Sequence, residues 1–133
     1  MGLILDTSLL VAYERRRFDL PAFLLTRGNE SVAIAAVTLS ELLHGWHRAI
    51  DPVIKAERGR YVGAIRRDYV VIPFGEAQAE SHARIWAGLE ASGNIIGAHD
   101  LQIAATALSL DYDLATLNER EFSRVPGLRV VRP

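Results

Sequence analysis

Asp6, Glu41, Asp100 and Asn118 are the side chains whose type and position point most directly to chemistry. Asp6 closes the apolar run Leu3-Ile4-Leu5. Glu41 falls in the first turn of a helix expected from Thr38, and Asp100 in that of one expected from Ala98. Asn118 follows the run Leu114-Ala115-Thr116, and Glu121 lies three residues beyond it. Three carboxylates gathered in one place repel one another unless a cation sits among them. An all-oxygen donor set suits a hard divalent ion such as Mg2+ or Mn2+. The chain has no cysteine, which removes thiolate zinc sites, cysteine nucleophiles and disulfides together.

Each of these residues also has an ordinary structural explanation. Asp6 can cap the helix that follows it. Thr38-Leu39-Ser40-Glu41 has the form of a capping box, with Glu41 reaching back to the Thr38 backbone. Asp100 would complement the dipole of its helix, and Asn118 suits a turn. The case for a site rests on the four converging, not on any one alone.

Other chemistry-bearing residues carry less. His44 and His47 are three apart on one expected helix, but no HExxH pattern accompanies them, and His82 and His99 have no telling partners. No P-loop, GxGxxG or GxSxG elbow is present. Trp46 and Trp86 lie among apolar helical neighbours and read as core or subunit contacts. Arg15-Arg16-Arg17 ends a helix, where positive charge favours the dipole; phosphate binding is its sharper reading. Lys55 is the only lysine among the 15 basic residues, and arginine favours bidentate phosphate contacts.

The elements that must position these groups alternate. Strands are expected at Leu3–Leu5, Ser31–Val37, Tyr69–Ile72, Leu114–Thr116 and Leu128–Val131. Helices are expected to about Arg16, then over Asp19–Arg27, Thr38–Ile50, Asp51–Asp68, Glu76–Ala91 and Ala98–Leu110. The small apolar run Ser31–Val37 suits a strand covered on both faces. Strands separated by helices imply an α/β fold, a central parallel sheet in a three-layer α/β/α sandwich. Ligands in such folds lie beyond the carboxyl ends of the strands. Asp6, Glu41, Asp100 and Asn118 all map there, with the loop Gly93–Gly97 able to arch over them.

At 133 residues and 50% hydrophobic composition, one compact domain with a sizeable core is expected. The start, Met1-Gly2-Leu3-Ile4-Leu5-Asp6, lacks the basic region of a signal peptide. No stretch reaches the roughly 18 apolar residues of a membrane span, so a cytoplasmic protein without membrane contact is expected. Net charge is −1, so any nucleic-acid binding must rest on local patches or a bound metal. Phe18, Leu20, Phe23, Leu24 and Leu25 crowd one short segment, which predicts an apolar patch for a second copy or another protein.

Four motifs carry a family resemblance: Leu3-Ile4-Leu5-Asp6-Thr7-Ser8; Thr38-Leu39-Ser40-Glu41-Leu42; Ile96 to Ala105 around Asp100; and Thr116 to Phe122, closing on Val125-Pro126-Gly127-Leu128. In this order, over nearly the whole chain, they resemble the PIN domains of VapC-type toxins. The resemblance implies an Mg2+- or Mn2+-dependent endoribonuclease, dimeric, and inhibited by a cognate VapB-type antitoxin. Asp6, Glu41 and Asp100 then take the family's acidic places as catalytic and metal-holding residues, Glu41 through water. Asn118 stands where many PIN nucleases have aspartate, with Glu121 close enough to supply the missing charge. Hydrolysis of RNA by metal-activated water would leave a 5′-phosphate. Two alternatives stand beside this: a PIN scaffold that binds RNA or protein without cutting, and a HAD-type phosphohydrolase. The latter needs a second aspartate where Ser8 stands.

Overall fold

The computed structural model describes residues 2–133. Five strands form one sheet: β1 (Gly2–Leu5), β2 (Ser31–Ala35), β3 (Val70–Ile72), β4 (Asp113–Ala115) and β5 (Val130–Val131). Their order is β3-β2-β1-β4-β5 and every pairing is parallel. Seven helices connect them: α1 (Thr7–Glu14), α2 (Leu20–Leu25), α3 (Ala36–His47), α4 (Pro52–Asp68), α5 (Glu76–Ser92), α6 (Ala98–Leu110) and α7 (Glu119–Phe122).

Strand alternation divides the interior into two cores. Leu3, Leu5, Ile34 and Ala115 face one side, where Leu9 and Leu10 of α1, Leu20 of α2 and Val62 and Ile65 of α4 cover them. Ile4, Ala33, Ala35 and Leu114 face the other, under Ile85 and Leu89 of α5 and the small apolar face of α6. The three-layer α/β/α arrangement expected from the sequence is thus present. The chain runs outward from β1 through β2 to β3, then returns to place β4 on the opposite side of β1. The switch in direction lies between β1 and β4, where parallel sheets open a crevice at the strand ends.

Local signals explain most boundaries. The Asp19 carboxylate accepts from Ala22 N, and Asp51 from Val53 N and Ile54 N, ahead of a proline in each first turn. Gly93 ends α5 with φ 72°, a left-handed conformation that glycine adopts without a Cβ penalty. The short α7 was not foreseen.

Two expectations need correction. β2 stops at Ala35, and α3 begins two residues before the expected Thr38, because Ala36 and Val37 continue the apolar run as the helix's first turn. The segment Phe18 to Leu25 is also less exposed than predicted. Leu20 is fully buried, and Phe18, Phe23 and Leu24 pack on the core beneath α1, α2 and α4. Only Leu25 stands out, 83% exposed.

Candidate active site

Asp6 immediately follows β1, and its backbone N–H extends the ladder by donating to Ala115 O at 2.9 Å. Its side chain is buried and makes no helix-capping hydrogen bond. Oδ2 instead accepts from Ser8 Oγ at 2.6 Å and Thr116 Oγ1 at 2.7 Å. Both hydroxyls are themselves oriented: Ser8 Oγ accepts from Leu117 N–H (3.1 Å) and Thr116 Oγ1 from Asn118 N–H (2.8 Å). Two arms therefore run from the turn after β4 to one carboxylate oxygen after β1. Burial raises the Asp6 pKa, opposed by the two hydroxyls.

Glu41 does not close a capping box. Ala35 is the N-cap of α3 and offers no polar side chain, while Thr38 and Glu41 both lie inside the helix. Glu41 Oε1 accepts from the Thr7 hydroxyl at 2.8 Å, and Thr7 Oγ1 stands 3.0 Å from Thr38 Oγ1. Its other oxygen lies 3.6 Å from His99 Nδ1, a neighbour that sequence reasoning did not single out.

Asp100 sits in the first turn of α6, behind the N-cap Gly97, so the helix-dipole reading holds alongside any other. Its pKa is raised to about 7, first by burial and then by the charges of Asp6, Glu121 and Glu41. The four carboxylates thus share one electrostatic neighbourhood. Glu121 is held the other way: the Gly97 N–H donates to Oε1 at 2.9 Å and Asn118 Nδ2 to Oε2 at 3.0 Å. These two bonds lower its pKa. Asn118 is the N-cap of α7 but makes no capping bond; its amide serves Glu121. The loop from Gly93 does not arch over this region. Ile95 and Ile96 line a separate apolar cleft of about 260 Å³ with Trp86, and only Gly97 borders the acidic groups.

Asp6, Glu41, Asp100 and Asn118 line one open cleft of about 520 Å³ at the β1/β4 switch. Among the described residues, no three His, Cys, Asp or Glu side chains form a ready-made metal shell. Mg2+ does not require one, since it is commonly held by one or two carboxylates and keeps several waters. Asp6 and Asp100 can supply those carboxylates, with Glu41 and Glu121 as the neighbouring acidic groups. The donor set is all oxygen, and burial together with like-charge repulsion raises the Asp100 pKa. The residues fit a hard divalent ion.

A PIN-domain family model matches residues 3–128. The chain belongs to the PIN-domain family. Within it, this PIN domain is 34% identical over 131 residues to Ribonuclease VapC of Rickettsia bellii, covering 98% of this chain and 96% of that protein. It is 32% identical over 118 residues to the tRNA(fMet)-specific endonuclease VapC of Salmonella typhimurium, 87% of this chain and 80% of that one. Among solved structures, VapBC2 from Rickettsia felis bound to a DNA fragment from their promoter matches with a TM-score of 0.90 at 26% identity. The match covers 100% of this chain and 99% of that one. The family sets aside the HAD-type alternative, consistent with a Ser8 hydroxyl committed to Asp6.

Sequence reasoning missed what the hydroxyls do, since it offered them no more than capping roles. Thr7, Ser8, Thr38 and Thr116 orient the carboxylates of this PIN domain, and the adjacency Asp6-Thr7-Ser8 was the available signal. Arg15 and Arg17 also line the cleft, whereas His47 stacks on Trp46 with ring centroids 4.7 Å apart.

Proposed function

We propose that this PIN domain is a metal-dependent endoribonuclease and the toxin of a toxin–antitoxin pair. The observation that carries the reading is the convergence of Asp6, Glu41, Asp100 and Asn118 from four distant segments on one cleft at the strand ends. A divalent ion held by Asp6 and Asp100 would supply a water of lowered pKa and polarise the scissile phosphate. Ser8 and Thr116 fix the Asp6 carboxylate in the orientation a ligand needs. Thr7 holds Glu41 at the cleft, where its carboxylate would reach the ion through a bound water and orient that water. Asn118 positions Glu121, which adds negative charge beside Asp100. The relatives named as ribonucleases support RNA as the substrate, and the VapBC assembly supports a VapB-type antitoxin as inhibitor.

We further assign this chain to a homodimer in the cytoplasm. Phe74, Trp86 and Ile95 are 41%, 50% and 67% exposed, and His82 sits between the rings of Phe74 and Trp86. A second copy would cover this apolar face. Among the described residues no helix is long and apolar enough to cross a membrane.

The test is incubation of purified chain with RNA in Mg2+ or Mn2+, with EDTA as control and sequencing of the new 5′ ends. Metal-dependent cuts bearing 5′-phosphates, absent in Asp6→Asn, are expected. RNA left whole by wild type in both metals would overturn the reading.

A further inference from the structure

The cleft has a basic side that the proposed chemistry does not use. Arg15 is the C-cap of α1, and Arg16 adopts φ 59°, a left-handed turn that costs a non-glycine residue about 1–2 kcal/mol. The turn is pinned by hydrogen bonds from Arg15 N to Val11 O, Arg16 N to Tyr13 O and Arg17 N to Ala12 O, at 3.0, 3.0 and 2.8 Å. Arg15 and Arg17 therefore both line the acidic cleft, and Arg16 between them does not. Among the described residues neither pairs with a carboxylate, so these two charges do not serve to hold the acidic groups in place. Arg15 also lines the adjoining recess with Arg48 and Glu41, which continues the basic edge past the site.

A polyanion approaching this cleft meets four carboxylates, on a chain whose net charge is −1. Whatever draws it in must be local. Unpaired guanidinium groups beside the site of cleavage, each able to bind a phosphate through two parallel hydrogen bonds, meet that need.

We infer that Arg15 and Arg17 bind the backbone phosphates of single-stranded RNA flanking the scissile one, and so set the strand's register in the cleft. The inference rests on the nuclease reading for its choice of ligand. It gives the arginines a positioning role, without contact to the reacting atoms.

The experiment is fluorescence anisotropy with a short fluorescein-labelled oligouridylate, in an Asp6→Asn background so that the RNA stays intact. Arg15→Gln/Arg17→Gln is expected to weaken binding about tenfold or more at low salt. The slope of log affinity against log salt should become shallower by about 0.7 for each arginine lost. Arg16→Gln, which removes one charge outside the cleft, should leave both unchanged. With Asp6 restored, the double variant should raise KM more than it lowers kcat. Unchanged affinity and slope in the double variant would overturn the inference, as would an equal loss in Arg16→Gln. So would intact RNA binding with only antitoxin binding lost, because the arginines would then belong to the protein partner. A wild type that binds RNA through these arginines but never cuts it would refute the nuclease reading and leave this one standing.

Discussion

The Thr7 hydroxyl donates to Glu41 Oε1 at 2.8 Å, tying the first turn of α1 to the middle of α3 across 34 positions of sequence. Glu41 is thereby held at the cleft by a side chain adjacent to Asp6. In Thr7→Val the hydroxyl is lost and the shape kept. Stability should fall by about 1 kcal/mol, and RNA cleavage by about 10- to 100-fold, as expected for a group that orients a metal-shell residue. Glu41→Gln keeps an acceptor for Thr7 and should melt within about 1 kcal/mol of wild type, yet lose cleavage more severely. Thermal melts with single-turnover rates separate the two, and a Glu41→Gln protein as active as wild type would return Glu41 to a purely structural role.

Asp6→Asn and Asp100→Asn are each expected to lower the cleavage rate about a hundredfold or more while the chain still folds. Asp100→Asn should not reduce the metal-free melting temperature, because it removes one of several mutually repelling charges. A large loss of stability in that variant would mean that the carboxylate is structural.

Asp100 also sets a pH dependence. Its folded-state pKa is about 7 against an ordinary 3.8, so the folded protein holds a proton that the unfolded chain releases. The stability this gives is complete below the unfolded value and lost as pH rises towards the folded one. Metal-free wild type should therefore melt lower at about pH 8 than at about pH 5, and Asp100→Asn should flatten that difference. Asp6, also raised, acts in the same direction. Asp113 and Glu121 are held below their ordinary values and titrate outside this window. Added Mg2+ should raise the wild-type melting temperature at the alkaline end. Calorimetry across the range checks this, and parallel curves for the two proteins would contradict it.

Far from the cleft, Asp113 accepts from Arg27 at 2.8 Å and Arg129 at 2.6 Å, stapling the start of β4. Those partners hold its pKa down, so its contribution is present above the ordinary carboxylate range and lost as pH falls through the folded value. Asp113→Asn should cost about 1 kcal/mol or less at neutral pH, since the pairs are partly exposed and screened by salt. Cleavage should be untouched. A loss of activity without a loss of stability would tie this staple to the site.

Trp86→Glu places a charge in the apolar face assigned to the second copy. Light scattering should show wild type at twice the chain mass of 14.7 kDa and the variant at the chain mass, with melting little changed because the ring is half exposed. A monomeric wild type would remove the dimer.

The sheet was legible because its central strands are continuous apolar runs; Asp6 and Asn118 stand just beyond two of them, while Glu41 and Asp100 were legible as acidic residues on helices that begin at that edge of the sheet. The α3 boundary was misread for the same reason: Ala36 and Val37 look like more strand. That shift made Thr38 and Glu41 a false capping box. The Thr7 and Ser8 hydroxyls suggested no more than a helix cap, and Thr116 nothing, because a hydroxyl's role depends on what lies across the fold, and Thr116 lies 110 positions from Asp6. The four-residue α7 is too short to show a period. The run Arg15-Arg16-Arg17 offered a dipole or a phosphate role without saying which members reach the cleft, because only the left-handed turn at Arg16 sorts them.

The two arms that orient Asp6 both originate after β4. As the chain emerges from the ribosome, Thr116 follows Asp6 by 110 positions, with the Leu117 and Asn118 amides next after it. Until β4 docks beside β1, the carboxylate lacks Thr116, and Ser8 lacks the amide that aims it. A nascent chain that has not yet reached these residues therefore cannot orient the Asp6 carboxylate, and the site is finished only after β4 has docked.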